Sequence, residues 1–515
     1  AYNAGIAQLY LRAGLPEAQV KSLPVIVTVQ GRPFINLTSV YLLASQLFGM
    51  DKASSDLSIT GAVQPDAWMP PQAPGWRRLI HTIRYFRMLP QARPRLDAFI
   101  AANASLRIEP ADDLQGVYAR LQRLHALYFE AIAIHSQVTQ MGMALLGLFQ
   151  ALMSGGGPAT PASHAAVAAL LTGAGSQSAG VEESSIAVAV ALDQLGRAIA
   201  RVPGAQAGFL RAQPAAALAW LRSEASGSAR AAFERFLGTH GHRCVSELDF
   251  RERDWAEDPL PLVVSLQHIA QAPQRPKSDA GAQAQAAMAR LTGFSLRLAQ
   301  WLLPRARAKI VERERSKSFA VWIARRLKRG YVDYAGRLVR MERLPDTDLV
   351  FFFTHAELAL FARAAQPELV LRAQHRRRLF PRQQALEFPR VCQGKPVPLV
   401  PGADEGRATQ VMHGTPISRG IAVGRARVCQ TIEDAAGMQP GEILVTPFID
   451  VGWTPFFSRA AGLAAEIGSV LSHGAVVARE YGLPAIAGLA GVTRRFENGD
   501  MLRLDGDTGE LRRVE

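Results

Sequence analysis

"GSVLSHGAVVAREYGLPAIAG" (468–488) holds one histidine, His473, between two small residues and directly ahead of a short apolar stretch with helical spacing. Ser472 is a good N-cap, Gly482 is a stop and Pro484 follows it, so the pattern predicts a helix whose N-terminus lies at His473. The unpaired amides and the dipole at such an end favour negative charge. A protonated imidazole is disfavoured there, whereas a neutral one that acquires a phosphoryl group is stabilised. Ser472 and Gly474 are small enough to leave room for a phosphate. A histidine placed for structure alone fits the same local pattern.

Outward from this segment the chain alternates. "GIAVGRARVC" and "EILVTPFI" read as strands, "TIEDAAGMQ" and "TPFFSRAAGLAAEIG" as helices, and "GDMLRLDGDTGELRRV" as a closing hairpin. Residues 411–515 therefore form a small α/β domain. Ahead of it, Pro, Gly and polar residues without helical periodicity over 388–410 read as a flexible linker. From about 77 to 380 apolar residues recur at three- and four-residue intervals, as in "LQGVYARLQRLHALYFEAIAIHSQ", and residues 1–75 look irregular with one strand-like segment, "GRPFINLTSVYLL". The fold expected is a mostly α N-terminal domain (1–387), able to form a pocket between helices, followed by the small α/β domain.

Composition narrows the classes. The chain has 515 residues, 48% hydrophobic and 20% charged, as in a soluble globular protein of several domains. The apolar run "MGMALLGLFQALM" is too short to span a bilayer, and no signal sequence opens the chain, so no membrane partner is expected. The chain begins with Ala, as a processed or truncated product would. Cys244, Cys392 and Cys429 are far apart and show no zinc spacing, which points to a reducing, cytoplasmic setting. His240 and His242, two apart, point to opposite faces in a strand and suit a metal only in a loop, so no metal site is expected. The net charge is +14, yet from residue 411 onward ten Arg face twelve Asp and Glu. The excess lies upstream, in "RARAKIVERERSKSFAVWIARRLKR" (305–329) and "RAQHRRRLFPR" (372–382). Such runs bind phosphates or an acidic domain, or form solvated helix faces; without stacking motifs or a reader fold, nucleic acid is not expected.

The motif "LSHGAVVAREYGLPAIAG", with "DGDTG" at 505–509, resembles the swivelling phosphohistidine domain of phosphoenolpyruvate synthase, pyruvate phosphate dikinase and the rifampin phosphotransferase family. The match runs through Gly468, Ser472, His473, Ala475, Ala478, Arg479, Glu480, Gly482, Pro484 and Ala485, then Asp505, Gly506 and Gly509; Ser469 stands where a second glycine is usual. Upstream, "HGTPISRGIAVGRARV", "PGEILVTPFIDVGWTPFF", "GRPFINLT", "GHRCVSELDFRERDWAEDP", "RERSK" and "DTDLVFFFTHAEL" occur in the order of the rifampin phosphotransferases.

The resemblance implies a relay. His473 takes a phosphoryl group from ATP at a nucleotide domain, the small domain swings, and the group passes to a hydroxyl of an organic acceptor. A rifampin-like antibiotic leads, and a prodigiosin-type ligation or a non-catalytic carrier are the alternatives. ATP and Mg2+ are expected on an ATP-grasp domain outside this chain, in cis or as a separate subunit. Too few residues follow His473 for the phosphoenolpyruvate barrel, so phosphoenolpyruvate synthesis is not expected. Arg313 and Lys317, four apart and on one helix face, match an R-E-x-x-K pattern at the acceptor side and are expected to clamp the phosphate; an exposed helix with Glu312 and Glu314 as ion-pair partners is the competing account. Ser472, Gly474 and Arg479 are expected to position phosphate, Arg479 with Glu480 also as an orienting pair. Arg243, Glu247 and Asp249 are expected to form a buried polar network shaping the acceptor cleft.

Overall fold

Two long helices of opposite direction set the frame. In the computed structural model, which describes all residues except 49, 61–62, 65, 105, 107–112, 154–162, 164–166, 168–169, 172–184, 245–246, 272–287, 290, 362, 390, 400–410, 450, 469–472 and 515, most of the chain up to residue 384 is helical. The helices α1 (Tyr2–Ala13), α2 (Glu17–Ser22), α3 (Leu37–Gln46), α4 (Lys52–Ile59) and α5 (Gly75–Asn103) lead to α6 (Leu114–Met153). The irregular segment expected over 1–75 is thus mostly helical. Its strand-like part is split: β1 (Ile26–Val29) and β2 (Arg32–Ile35) form a hairpin, and "NLTSVYLL" begins α3. The hairpin turns at Gln30 and Gly31, both with positive φ, as a tight two-residue turn requires.

The partner of α6 comes after a helical lobe. Its helices are α7 (Ser185–Ala200), α8 (Pro214–Arg222), α9 (Ser228–His240) and α10 (Leu260–Gln271). The lobe closes its own core around Leu192, Phe209, Phe233, Trp255 and Leu266. Then α11 (Gly293–Arg340) runs back along α6 for 48 residues, roughly 70 Å of helix. Small residues let the pair approach: a Cβ on Gly330 would meet Leu121 at 2.9 Å, and one on Gly142 would touch Lys309. At one end Leu121 and Leu124 pack on Leu327 and Tyr334; further along, Ile132 and Val138 pack on Phe319 and Ile323. An apolar window of α6 has the length and composition of a membrane span, and 67% of that window is buried inside the protein. Two further helices, α12 (His355–Phe361) and α13 (Pro367–Gln384), cover the far end of α11.

Among the described residues from 385 to 399 there is no helix or strand. Phe388 lies edge-on to Phe34 at 5.3 Å, Gln393 donates to the Asp66 carbonyl at 3.1 Å, and Arg494 pairs with Glu387 at 3.0 Å. The described part of the expected linker therefore touches the β1–β2 hairpin and the turn at Asp66, while Glu387, just ahead of it, holds the last domain; residues 400–410 lie outside the described residues.

From residue 411 the strands β3 (Val411–His413), β4 (Thr415–Ser418), β5 (Ile421–Val428), β6 (Ile443–Phe448), β7 (Gly462–Ile467), β8 (Ala485–Ala487), β9 (Met501–Asp505) and β10 (Glu510–Arg513) form one mixed sheet, ordered β3-β10-β9-β5-β6-β7-β8-β4. Strands β5 to β8 are parallel and the outer pairs antiparallel. Both faces of the parallel part are covered, which is why "ILVT" in β6 and "GLAA" in β7 are uninterrupted buried runs. This corrects the helix expected over "TPFFSRAAGLAAEIG": its first part is a 3-10 turn (Val451–Ser458) and its second part is β7. "TIEDAAGMQ" likewise holds only a 3-10 turn, Glu433–Gly437. The α14 helix (His473–Glu480) crosses from β7 to β8, and α15 (Val492–Arg495) precedes the closing hairpin.

The sheet domain rests on the lobe. Its 451–458 turn and α14 pack against α10 and α7. Phe456 lies 5.4 Å from the His268 ring, and Arg459 donates to His268 Nδ1 at 2.5 Å.

Candidate active site

The first part of the site is the head of α14. It follows the carboxyl end of parallel strand β7, the edge where open α/β sheets place their reactive groups. His473 is the first helical residue; Ser472 lies outside the described residues. Three contacts fix the helix. Ala475, Val477 and Ala478 enter the core beside Trp453 and Phe457. Gly474 abuts Ile449, whose Cγ2 would lie 2.1 Å from any Cβ placed there. The missing side chain of Gly474 thus serves close packing of the loop after β6, which differs from the open space for phosphate expected of it. At the other end Gly482, with φ +58°, turns the chain out, and its amide donates to the Arg479 carbonyl. Arg479 is buried and donates through Nη1 to the Ile417 carbonyl of β4 at 3.3 Å, tying α14 to the sheet.

The second part lies on the long helices. Arg313 and Lys317 share one face of α11, half-exposed, as their spacing predicts. The helix around them is not the exposed surface of the competing account. Glu312 is buried and pairs with Lys309, while Arg313 Nη1 meets Glu314 at 2.8 Å. Lys317 Nζ meets Glu247 Oε2 at 2.8 Å. Glu247 also takes Arg243 Nη1 on its other oxygen at 2.5 Å, and both of these residues are buried. One carboxylate therefore joins a buried guanidinium to a half-exposed ammonium.

The segment 241–258 carrying that carboxylate is strapped to α11. Arg325 and Lys328 donate to the Glu252 carbonyl at 2.7 and 2.8 Å, and Trp255 N donates to the Arg243 carbonyl at 2.9 Å. Asp249 is not in the buried network expected of it. It is exposed and accepts from its neighbour's amide, Arg251 N, at 2.8 Å, because the strap turns outward after Glu247.

Sequence reasoning passed over two residues here, His135 and Ser316. His135, on α6, is half-buried with Nδ1 3.0 Å from Ser316 Oγ, one turn of α11 beyond Arg313. Burial first, and the charges of Arg313 and Lys317 second, push its pKa down to about 3. The signal was present: His135 falls seven residues after Tyr128 and three after Ile132 on the buried stripe of α6, where a polar residue needs a reason.

The principal contacts of α14 are with β4, the 451–458 turn and α7, not with α11. His473 and the Arg313–Lys317 pair thus belong to different bodies of the fold.

Comparison with known proteins follows this division. Residues 135–314 match the family model described as the rifampicin phosphotransferase fourth domain, and residues 438–509 match the mobile domain of PEP-utilising enzymes. Two stretches of the chain are thus similar to parts of rifampicin phosphotransferases and of PEP-utilising enzymes. A rifampicin phosphotransferase of Streptomyces sviceus is 32% identical over 298 residues, covering 55% of this chain and 34% of that protein. An uncharacterized protein of Mycobacterium tuberculosis is 27% identical over an alignment covering 100% of this chain and 58% of the relative. A prodigiosin synthesizing transferase of Serratia marcescens is 46% identical over 105 residues, 20% of this chain and 12% of the relative. The chain spans about a third of the length of the rifampicin phosphotransferases that it matches. The first family model begins at His135 and ends one residue past Arg313, so the region it matches includes these two residues and stops short of Ser316 and Lys317.

Proposed function

We propose that this chain is the acceptor-binding and phosphohistidine part of an ATP-dependent phosphotransferase. His473 takes a phosphoryl group at a nucleotide-binding domain of the ATP-grasp type, in cis or on another subunit, where ATP and Mg2+ are held. The sheet domain swings on the 388–410 segment and presents the group to Arg313 and Lys317, and an acceptor hydroxyl receives it. The reading rests chiefly on the separation just described: a histidine at a helix head on one body, a half-exposed cation pair on the other. A histidine suits the carrier role because its neutral ring is nucleophilic near pH 7 and its phosphoramidate is a reactive donor. A cation pair suits the receiving role because phosphoryl transfer depends on positioning and charge stabilisation. ATP as the source fits a cytoplasmic protein.

A rifampicin-like hydroxyl compound is the acceptor proposed, on the likeness to the rifampicin phosphotransferases. The identity with a prodigiosin synthesizing transferase supports a second reading, in which phosphoryl transfer activates an acceptor for condensation.

The test mixes the chain with an ATP-grasp domain and ATP labelled at the β-phosphate. Acid-labile label is expected on the chain and should be absent from His473→Ala. Label retained by that variant removes His473 from the relay. Adding rifampicin should move the label into the drug; a charged chain that keeps its label in rifampicin favours condensation or a carrier role.

A further inference from the structure

The hydrogen bonds around Ser316 decide where the proton sits on His135. Ser316 Oγ lies 2.9 Å from the Arg313 carbonyl oxygen, which can only accept, so the hydroxyl hydrogen is engaged there. The same oxygen lies 3.0 Å from His135 Nδ1, and with its hydrogen already used it must accept from that nitrogen. His135 therefore carries its proton on Nδ1, and the lone pair of the neutral ring is on Nε2. The Arg313 carbonyl also hydrogen-bonds the ring and favours its protonated form. The ring stands beside Arg313 and Lys317, whose charges it feels directly.

We propose that His135 is the general base that takes the proton from the acceptor hydroxyl during phosphoryl transfer, an inference that rests on the relay reading of Arg313 and Lys317. In that step the acceptor oxygen forms a bond to phosphorus and its proton passes to His135 Nε2. The bond from phosphorus to the His473 ring nitrogen breaks, and the electron pair returns to that nitrogen. A His473 ring protonated at its other nitrogen leaves as neutral imidazole, so charge and protons balance. Ser316 is the positioning residue: by accepting from Nδ1 it keeps the basic nitrogen pointed away from the α11 backbone.

The surroundings make the base conditional. The groups facing His135 are Arg313, Lys317 and Glu314 of α11, the two cations disfavouring protonation and the carboxylate favouring it. With no phosphate present the ring is a poor base. A phosphoryl group between Arg313 and Lys317 offsets their charge and raises the affinity of Nε2 for a proton. Deprotonation of the acceptor is thereby coupled to arrival of the loaded carrier.

Two measurements on the full chain test this. The first is 15N NMR of the imidazole nitrogens, with His135 identified by its loss in His135→Asn. The expected result is an Nδ1–H tautomer at neutral pH that Ser316→Ala weakens; an Nε2–H tautomer in the wild type overturns the proposal. The second charges His473 chemically with phosphoramidate and follows discharge into rifampicin. His135→Asn, whose amide can still donate to Ser316 Oγ, should charge normally and bind rifampicin normally, yet discharge about 100-fold more slowly. It should also lose the limb of the pH profile that rises with deprotonation of the base. Wild-type discharge with an unchanged pH profile in His135→Asn overturns the proposal. A wild-type chain that charges but never discharges into rifampicin refutes that acceptor, and the tautomer then decides the case of His135 alone.

Discussion

Glu247 is the residue on which the second half of the site turns, because each of its oxygens holds a different cation. Removing its charge and removing one of its partners should have different consequences. Glu247→Gln leaves Arg243, which is 1% exposed, without its buried counter-charge. Breaking a buried ion pair by removing one partner costs about 3–5 kcal/mol, a loss that urea unfolding would register. Lys317→Met leaves the Arg243–Glu247 pair whole and removes a half-exposed ammonium, so stability should change by less than about 1 kcal/mol. If Lys317 clamps phosphate, discharge of the phosphorylated chain should nevertheless fall about 100-fold or more. Equal stability losses in the two variants would show that Lys317 is a structural member of the network.

At the scale of single elements, α14 is set by what it packs against. Gly474→Ala should be costly although alanine suits a helix better than glycine, because the new methyl group would lie 2.1 Å from Ile449 Cγ2. The expected loss is about 1–3 kcal/mol, read from the thermal midpoint of the sheet domain. Ile449→Ala in the same chain should recover most of it, and a double variant no better than the single one would place the strain elsewhere. The history of this element in the sequence is instructive. The helix after His473 was legible because a cap, an apolar spacing and a glycine stop agree. What was not legible was the partner of Gly474, since Ile449 is distant along the chain and meets it only through the parallel order of β6 and β7. Strand β7 was misread for a related reason: a short, fully buried apolar run carries no period that separates strand from helix. The β1–β2 hairpin could have been found from Gln30–Gly31, a turn signal weaker than Asn–Gly. In the long helices Arg313 and Lys317 were legible by spacing, whereas His135 and Ser316 are joined only by the antiparallel pairing of α6 with α11. Asp249 shows the converse: its spacing after Glu247 fitted a common network, and the outward turn of the strap removed it.

For the molecule as a whole, buried histidines set the response to acid. His240 and His268 are 6% and 8% exposed, and both are pushed down to about 4, first by burial and then by Arg243 and Arg459 respectively. A ring whose folded pKa is depressed binds its proton more readily in the unfolded chain. Stability should therefore be level above the unfolded value near 6.5 and fall as pH drops from there towards 4, by at most about 1.4 kcal/mol per pH unit for each ring. The urea midpoint at pH 5 should lie below that at pH 7.5, and His268→Gln should reduce the difference. Identical midpoints at the two pH values would mean that these rings are solvated in the native protein.

The helical lobe enters where α6 ends and leaves where α11 begins, and Phe149 of one helix packs in the same core as Leu302 of the other. Both attachment points thus lie at one end of the paired helices, so the lobe hangs from them as an insertion with a core of its own. The sheet domain parks on this insertion, while the cation pair and His135 belong to the shafts. If the sheet domain is the travelling carrier proposed above, exchanging the lobe between relatives should alter how long it stays docked and leave the transfer chemistry untouched, so the two traits could drift apart over descent.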